Sequence, residues 1–111
     1  MRTLVHRSGA TPVRYAEYDY IPLLGAEHGC TAGCRTGLLM YTQEEFRQGG
    51  VHDDQEGFYV LEGTGAARVG DEEFPLSPGA CFIVPPGQWH SIRKDASCDR
   101  ITLFFFHAAA H

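Results

Sequence analysis

The stretch GGVHDDQEGFYVLEGTG, residues 49–65, places one histidine, His52, four positions ahead of a carboxylate, Glu56. Imidazole and carboxylate groups are the donors that divalent transition ions take. Gly49 and Gly50 stand just before His52, where a second histidine would make a familiar metal site. The segment is therefore either a working site short of one donor or the remainder of one. A second stretch, GACFIVPPGQWH over residues 79–90, ends on His90. There a buried strand runs into the rigid turn Pro85-Pro86-Gly87, which fixes the direction of the His90 imidazole.

Other groups could do chemistry. His28, Cys30 and Cys34 form a His-x-Cys-x-x-x-Cys cluster, and Asp53 and Asp54 follow His52 directly. Neither spacing completes a zinc site. The plainer expectation is a Gly-rich loop with ordinary thiols, and two solvated acids in a turn. His6, His107 and His111 lie near the chain ends and are expected at the surface. Cys81 and Cys98 are expected to act as small hydrophobes.

The elements that must position these groups are short strands. No helical apolar stripe runs along the chain; short apolar or alternating runs recur, broken by Gly, Pro and Asp. Expected strands are Thr3–His6, Thr36–Thr42, Gly57–Gly63, Gly65–Val69, Glu72–Leu76, Ala80–Pro85, His90–Lys94 and Arg100–Phe106. Gly70-Asp71 marks a hairpin between two of them. The segment LLGAEHGCTAGCRTG reads as a loop, TQEEFRQ as a solvated strand end, and residues 107–111 as a mobile tail. Period-two alternation puts Glu56, Phe58 and Val60 on one face and Tyr59 on the other.

Composition narrows the function. A chain of 111 residues, 43% hydrophobic, suffices for one domain with one core. The net charge of −5 with interspersed signs argues against nucleic acid as the main partner. The basic start lacks an apolar h-region and no run is long enough to cross a bilayer, so no membrane association and a cytoplasmic location are the expectations. The four cysteines are then expected to be reduced.

Residues 79–90 match the second conserved motif of the cupin superfamily position by position, from Gly79 through Pro85 and Gly87 to His90. Lys94 stands where that pattern closes on Asn. Residues 50–63 resemble the first motif, which reads His-x-His, three or four residues, Glu, six residues, Gly. Anchored on Glu56 and Gly63, His52 takes the second histidine position and Gly50 the first. The motif's opening glycine falls at Glu44. The rival register, with His52 first and Asp54 second, moves the glutamate onto Phe58 or Tyr59 and fails.

The resemblance implies an all-β fold over residues 1–111, a cupin-type jelly-roll barrel (a double-stranded β-helix). It implies His52, Glu56 and His90 as ligands of a divalent transition metal, Fe, Mn, Ni or Zn. Tyr41 and Gln88 are candidate groups near it, with Met40 and Trp89 as alternative lining or rim residues. It also implies a homodimer, with Thr3–His6 as the expected pairing strand. Two function classes stay open. One is a metal-dependent enzyme acting on a small organic molecule, with oxygenase, isomerase or lyase chemistry. The other is a non-catalytic barrel that binds or senses a small molecule.

Overall fold

The computed structural model describes residues 1–109 of the chain. Nine strands carry the fold: β1 (Val13–Arg14), β2 (Tyr18–Pro22), β3 (Arg35–Tyr41), β4 (Gln55–Glu62), β5 (Gly65–Val69), β6 (Glu72–Leu76), β7 (Cys81–Val84), β8 (His90–Lys94) and β9 (Ile101–Ala108). They form a six-stranded sheet in the order β1-β2-β3-β9-β4-β7 and a three-stranded sheet in the order β6-β5-β8. Every strand pairing is antiparallel. This is the expected all-β jelly roll, and no helix among the described residues is long and apolar enough to cross a membrane.

The core lies between the sheets. Phe58 and Val60 of β4, Leu103 and Phe105 of β9, and Ile92 of β8 are its centre, each at most 3% exposed. Burying a side chain of this size contributes about 1.5–3 kcal/mol. Strand β3 is buried on both faces, which explains its unbroken run Leu38-Leu39-Met40-Tyr41. Leu39 and Tyr41 face the core, whereas Leu38 and Met40 pack outside with Ile21, under Ala10, Leu23 and Phe104. Met40 therefore does not line the barrel interior.

Two glycines permit close approaches. A Cβ at Gly57 would lie 2.3 Å from the Phe106 ring, and one at Gly65 would lie 2.0 Å from the Arg93 carbonyl oxygen. The first lets an aromatic ring lie flat over β4; the second lets β5 and β8 pair closely.

Several expectations are corrected. Thr3–His6 forms no strand, so the element assigned to dimer pairing is absent. It has no partner strand, and His6 Nδ1 instead accepts the Ser8 backbone N–H at 3.1 Å to cap a 3-10 turn, Arg7–Gly9. Strands β1 and β2 were not anticipated. In the stretch read as a solvated strand end, Gln43 is buried and donates to the Ile92 carbonyl at 2.8 Å. Strand β9 continues through Ala108, so His107 belongs to the sheet rather than to a tail. His111 lies outside the described residues. Cys81 is exposed on the outer face, not buried as a small hydrophobe, and all four cysteines are free thiols.

Candidate metal centre

The backbone brings the two motifs together before any side chain is considered. Gly50 and His90 exchange two hydrogen bonds, Gly50 N–H to His90 O at 3.0 Å and His90 N–H to Gly50 O at 2.9 Å. Gly87 N–H donates to His52 O at 2.8 Å. Gly87 has φ +78°, the left-handed conformation that the third position of a Pro-Pro-Gly-Gln turn requires. The turn that aims His90 is thus pinned to the loop carrying His52, and β4 begins three residues beyond that histidine.

His52, Glu56 and His90 offer donor atoms that all lie within 4.8 Å of one another. Glu56 Oε1 stands 3.3 Å from His52 Nε2 and 3.5 Å from His90 Nε2. Donors held about 2.1 Å from a common ion sit about 3 Å apart, so the set fits a divalent transition ion. Glu56 and His90 are buried and His52 is half-buried. Burial, ahead of every other influence, lowers the His90 pKa from its ordinary value; the Glu56 carboxylate opposes this and His52 adds to it. The shift favours the neutral imidazole of His90, the form that donates a lone pair.

Gly50 faces the same pocket. A Cβ there would sit 3.7 Å from His90 Cε1 and 3.9 Å from His52 Nε2, in ordinary contact with both imidazoles. The position is open space beside the two histidines.

His107 is the residue that sequence reasoning misplaced. It is 3% exposed, lies opposite Glu56 in the β4–β9 ladder, and sets Nε2 3.3 Å from Glu56 Oε2. Its Nδ1 is 2.9 Å from Asp54 Oδ2, so Asp54 is a partner and not a solvated acid. Burial alone would lower the His107 pKa; the Glu56 and Asp54 carboxylates outweigh it, against the Arg35 guanidinium, and the net displacement is upward. The signal was present: Ile101, Leu103, Phe105 and His107 continue one inward-facing alternation.

Of the other candidates, Tyr41 lines the cavity and Gln88 does not. Gln88 extends over the Gly70 turn, where its Oε1 would be 2.5 Å from a Cβ on that glycine. Trp89 donates Nε1–H to Gln48 O at 2.8 Å and is a structural strut of the loop. His28 Nδ1 accepts the Gly25 N–H at 3.1 Å and caps its own 3-10 turn, and none of His28, Cys30 and Cys34 lines the cavity. Asp53 is exposed. Tyr59 is on the outer face, opposite Glu56 as expected, and is 45% exposed.

The cavity has a volume of about 260 Å³. Besides the imidazoles, it is walled by Tyr15, Tyr18, Tyr20 and Tyr41, with Arg35 and Glu17. Tyr18 and Tyr20 come from β2, whose Tyr-Asp-Tyr alternation aims both rings inward.

Residues 43–101 match the cupin domain (Cupin_2), which is just over half of the chain. Over 102 residues the chain is 29% identical to an acireductone dioxygenase of Leishmania infantum, covering 87% of this chain and 28% of that protein. The chain thus spans under a third of that relative's length. Two solved structures share the fold. One is described as a predicted oxalate decarboxylase from Thermotoga maritima (TM-score 0.80, 18% identity, 96% of this chain and 98% of the other). The other is the polyketide cyclase RemF from Streptomyces resistomycificus (TM-score 0.77, 19% identity, 100% of this chain and 81% of the other).

Proposed function

The chain belongs to the cupin domain family, and from that premise we propose that it is a metal-dependent enzyme acting on a small organic molecule. The observation that carries this reading is the convergence of His52, Glu56 and His90 on one point at the wall of a cavity. A divalent transition ion held there would act as a Lewis acid and would activate substrate oxygens or dioxygen.

The chain's own residues do the rest. Glu56 is held from its Oε2 side by His107, which Asp54 orients in turn, so Oε1 is the oxygen presented to His52 and His90. With no side chain at Gly50, an ion held by the three residues would keep an open side there for substrate oxygens. Tyr41, buried beside the site, can hold a hydrogen bond to a substrate oxygen. The likeness to an acireductone dioxygenase supports dioxygen chemistry.

Elemental analysis of protein incubated with Fe(II), Mn, Ni or Zn tests the centre. Close to one equivalent of a transition metal, lost in His90→Ala, is the expected result; less than about a tenth of an equivalent retires it. Retained metal with no turnover of any enolisable substrate would favour the non-catalytic binding reading. The proposal includes a homodimer. Tyr59, Leu61, Ile83 and Phe106 leave an exposed apolar row on the outer face of the large sheet, and a second copy is the partner proposed to cover it. Sedimentation of wild type against Ile83→Glu checks this, with a shift to monomer expected.

A further inference from the structure

Arg35 is the cation that the metal-centre reading leaves unused. It opens β3 opposite His107, and its Nη2 lies 3.2 Å from His107 Nε2. Among the described residues it is in no ion pair with a carboxylate, although it lines a cavity that contains Glu17 and Glu56. Both of those acids are engaged elsewhere: Glu17 Oε1 accepts the Gly49 N–H at 3.0 Å, and Glu56 faces the three imidazoles. A guanidinium presents a planar fork of donors that matches a carboxylate in two-point fashion. Arg35 therefore offers a charged fork to whatever enters.

The wall beside it is a continuous run of rings. Tyr41 and Tyr18 lie 5.2 Å apart, Tyr18 and Tyr15 5.2 Å, and Tyr15 and Tyr20 6.3 Å. Tyr20 then meets Phe105 at 5.6 Å, and Phe105 meets His107 at 5.5 Å. Aromatic faces at these spacings favour a flat, unsaturated body, which they can meet by offset or edge-to-face contact. The cavity, at about 260 Å³, falls below the ordinary range for drug-sized ligands and limits that body to a small molecule.

We propose that the substrate is a small planar organic acid, whose carboxylate is received by Arg35 while its unsaturated body lies against the wall of Tyr15, Tyr18, Tyr20 and Tyr41. This deepens the metal-centre reading and rests on it only for the far end of the molecule, where an enol, phenol or keto oxygen would reach the open side at Gly50. Arg35 Nη2 and Glu56 Oε2 lie 3.2 and 3.3 Å from His107 Nε2, so the guanidinium is a near neighbour of the proposed centre and a short acid would reach both.

The test uses benzoate, its uncharged isostere benzamide, and acetate as probes. Binding is measured by isothermal titration calorimetry and ligand-observed NMR on the full chain, as purified and after removal of metal with EDTA. In both forms benzoate is expected to bind about tenfold or more tighter than benzamide, the size of a charged hydrogen-bond partner gained. Arg35→Gln is expected to erase that difference, and Arg35→Lys to restore part of it. Acetate, without a ring to stack, is expected to bind more weakly than benzoate. Equal binding of benzoate and benzamide, or an unchanged ratio in Arg35→Gln, overturns the carboxylate assignment. Acetate binding as tightly as benzoate overturns the planar one. The metal-free measurements decide these points even if no metal is ever found at His52, Glu56 and His90, so the two readings fail separately.

Discussion

Lys94 Nζ lies 3.2 Å from Glu44 Oε2, and these are the two positions outside the metal donors at which the chain departs from the two motifs. Glu44 stands where the first cupin motif opens on glycine, and Lys94 where the second closes on asparagine. Apart in sequence, the two departures are one contact in the fold. Lys94 is buried, and its ammonium also donates to the carbonyls of Cys98 at 2.8 Å and Asp95 at 3.4 Å.

Unequal costs follow for the two partners. Glu44 is 60% exposed in its side chain, so Glu44→Gln is expected to cost about 0–1 kcal/mol. Lys94→Met leaves the Cys98 carbonyl without its ammonium donor, while Asp95 O keeps the Cys98 N–H, and is expected to cost about 1–3 kcal/mol. Urea melts of both single variants and the double variant measure this, and the double should cost less than the sum.

Gly50→His is expected to tighten metal binding, because its side chain would start in ordinary contact with the His52 and His90 imidazoles. Gly50→Ala fills the same space without a donor and should leave affinity unchanged or lower. Competition against a chromophoric chelator ranks the three proteins. Equal affinities would show that a side chain at position 50 turns away from the centre.

His107→Leu and Asp54→Asn are each expected to lower metal affinity about 10- to 100-fold, through loss of the groups that hold Glu56 Oε2. His107→Gln keeps a donor toward Glu56 and should recover part of it. The absorption spectrum of the Co(II)-loaded protein gives a second readout, since a freed Glu56 would change its mode of coordination. An unaltered spectrum and affinity in His107→Leu would sink the role.

Three of the cavity tyrosines, Tyr18, Tyr20 and Tyr41, titrate late. Burial, reinforced by the Glu56 charge, raises the Tyr41 pKa well above its ordinary value near 10, and burial raises Tyr18 and Tyr20 as well. In the unfolded chain these phenols ionise near pH 10, so the folded state holds their protons more tightly. Their contribution to stability is present in full below pH 10 and is lost as pH climbs from there through the folded values. Ultraviolet titration of phenolate should lag that of the unfolded chain, with the last step missing in Tyr41→Phe.

Much of this was legible in the residues. The Pro85-Pro86-Gly87 turn and the His52–Glu56 offset identify the motif residues because each is a local geometric requirement, a rigid bend or a spacing along one loop and strand. What was less legible lies in elements of low hydropathy. Strand β2 reads Tyr-Asp-Tyr-Ile-Pro, and its polar alternation hides a strand whose tyrosines look inward. The expected strands Thr36–Thr42 and Arg100–Phe106 stop short of Arg35 at the start of β3 and of His107 near the end of β9, yet the two pair directly across the sheet. Asp54 looked solvated because its partner is 53 residues away, beyond the reach of any local pattern.

The glycine at position 50 has one more consequence. The rings of Phe58 and Phe82, stacked at 4.7 Å, fill the space behind His90, and the cavity lies on the side of Gly50 and the tyrosines. A trigonal carbon would therefore reach the three donors from that side alone. With its acid end received at Arg35, as proposed, such a molecule would be held from flipping in place and would keep one face toward them. Any bond made at such a carbon would be made from one side, and a newly formed stereocentre would emerge in a single hand.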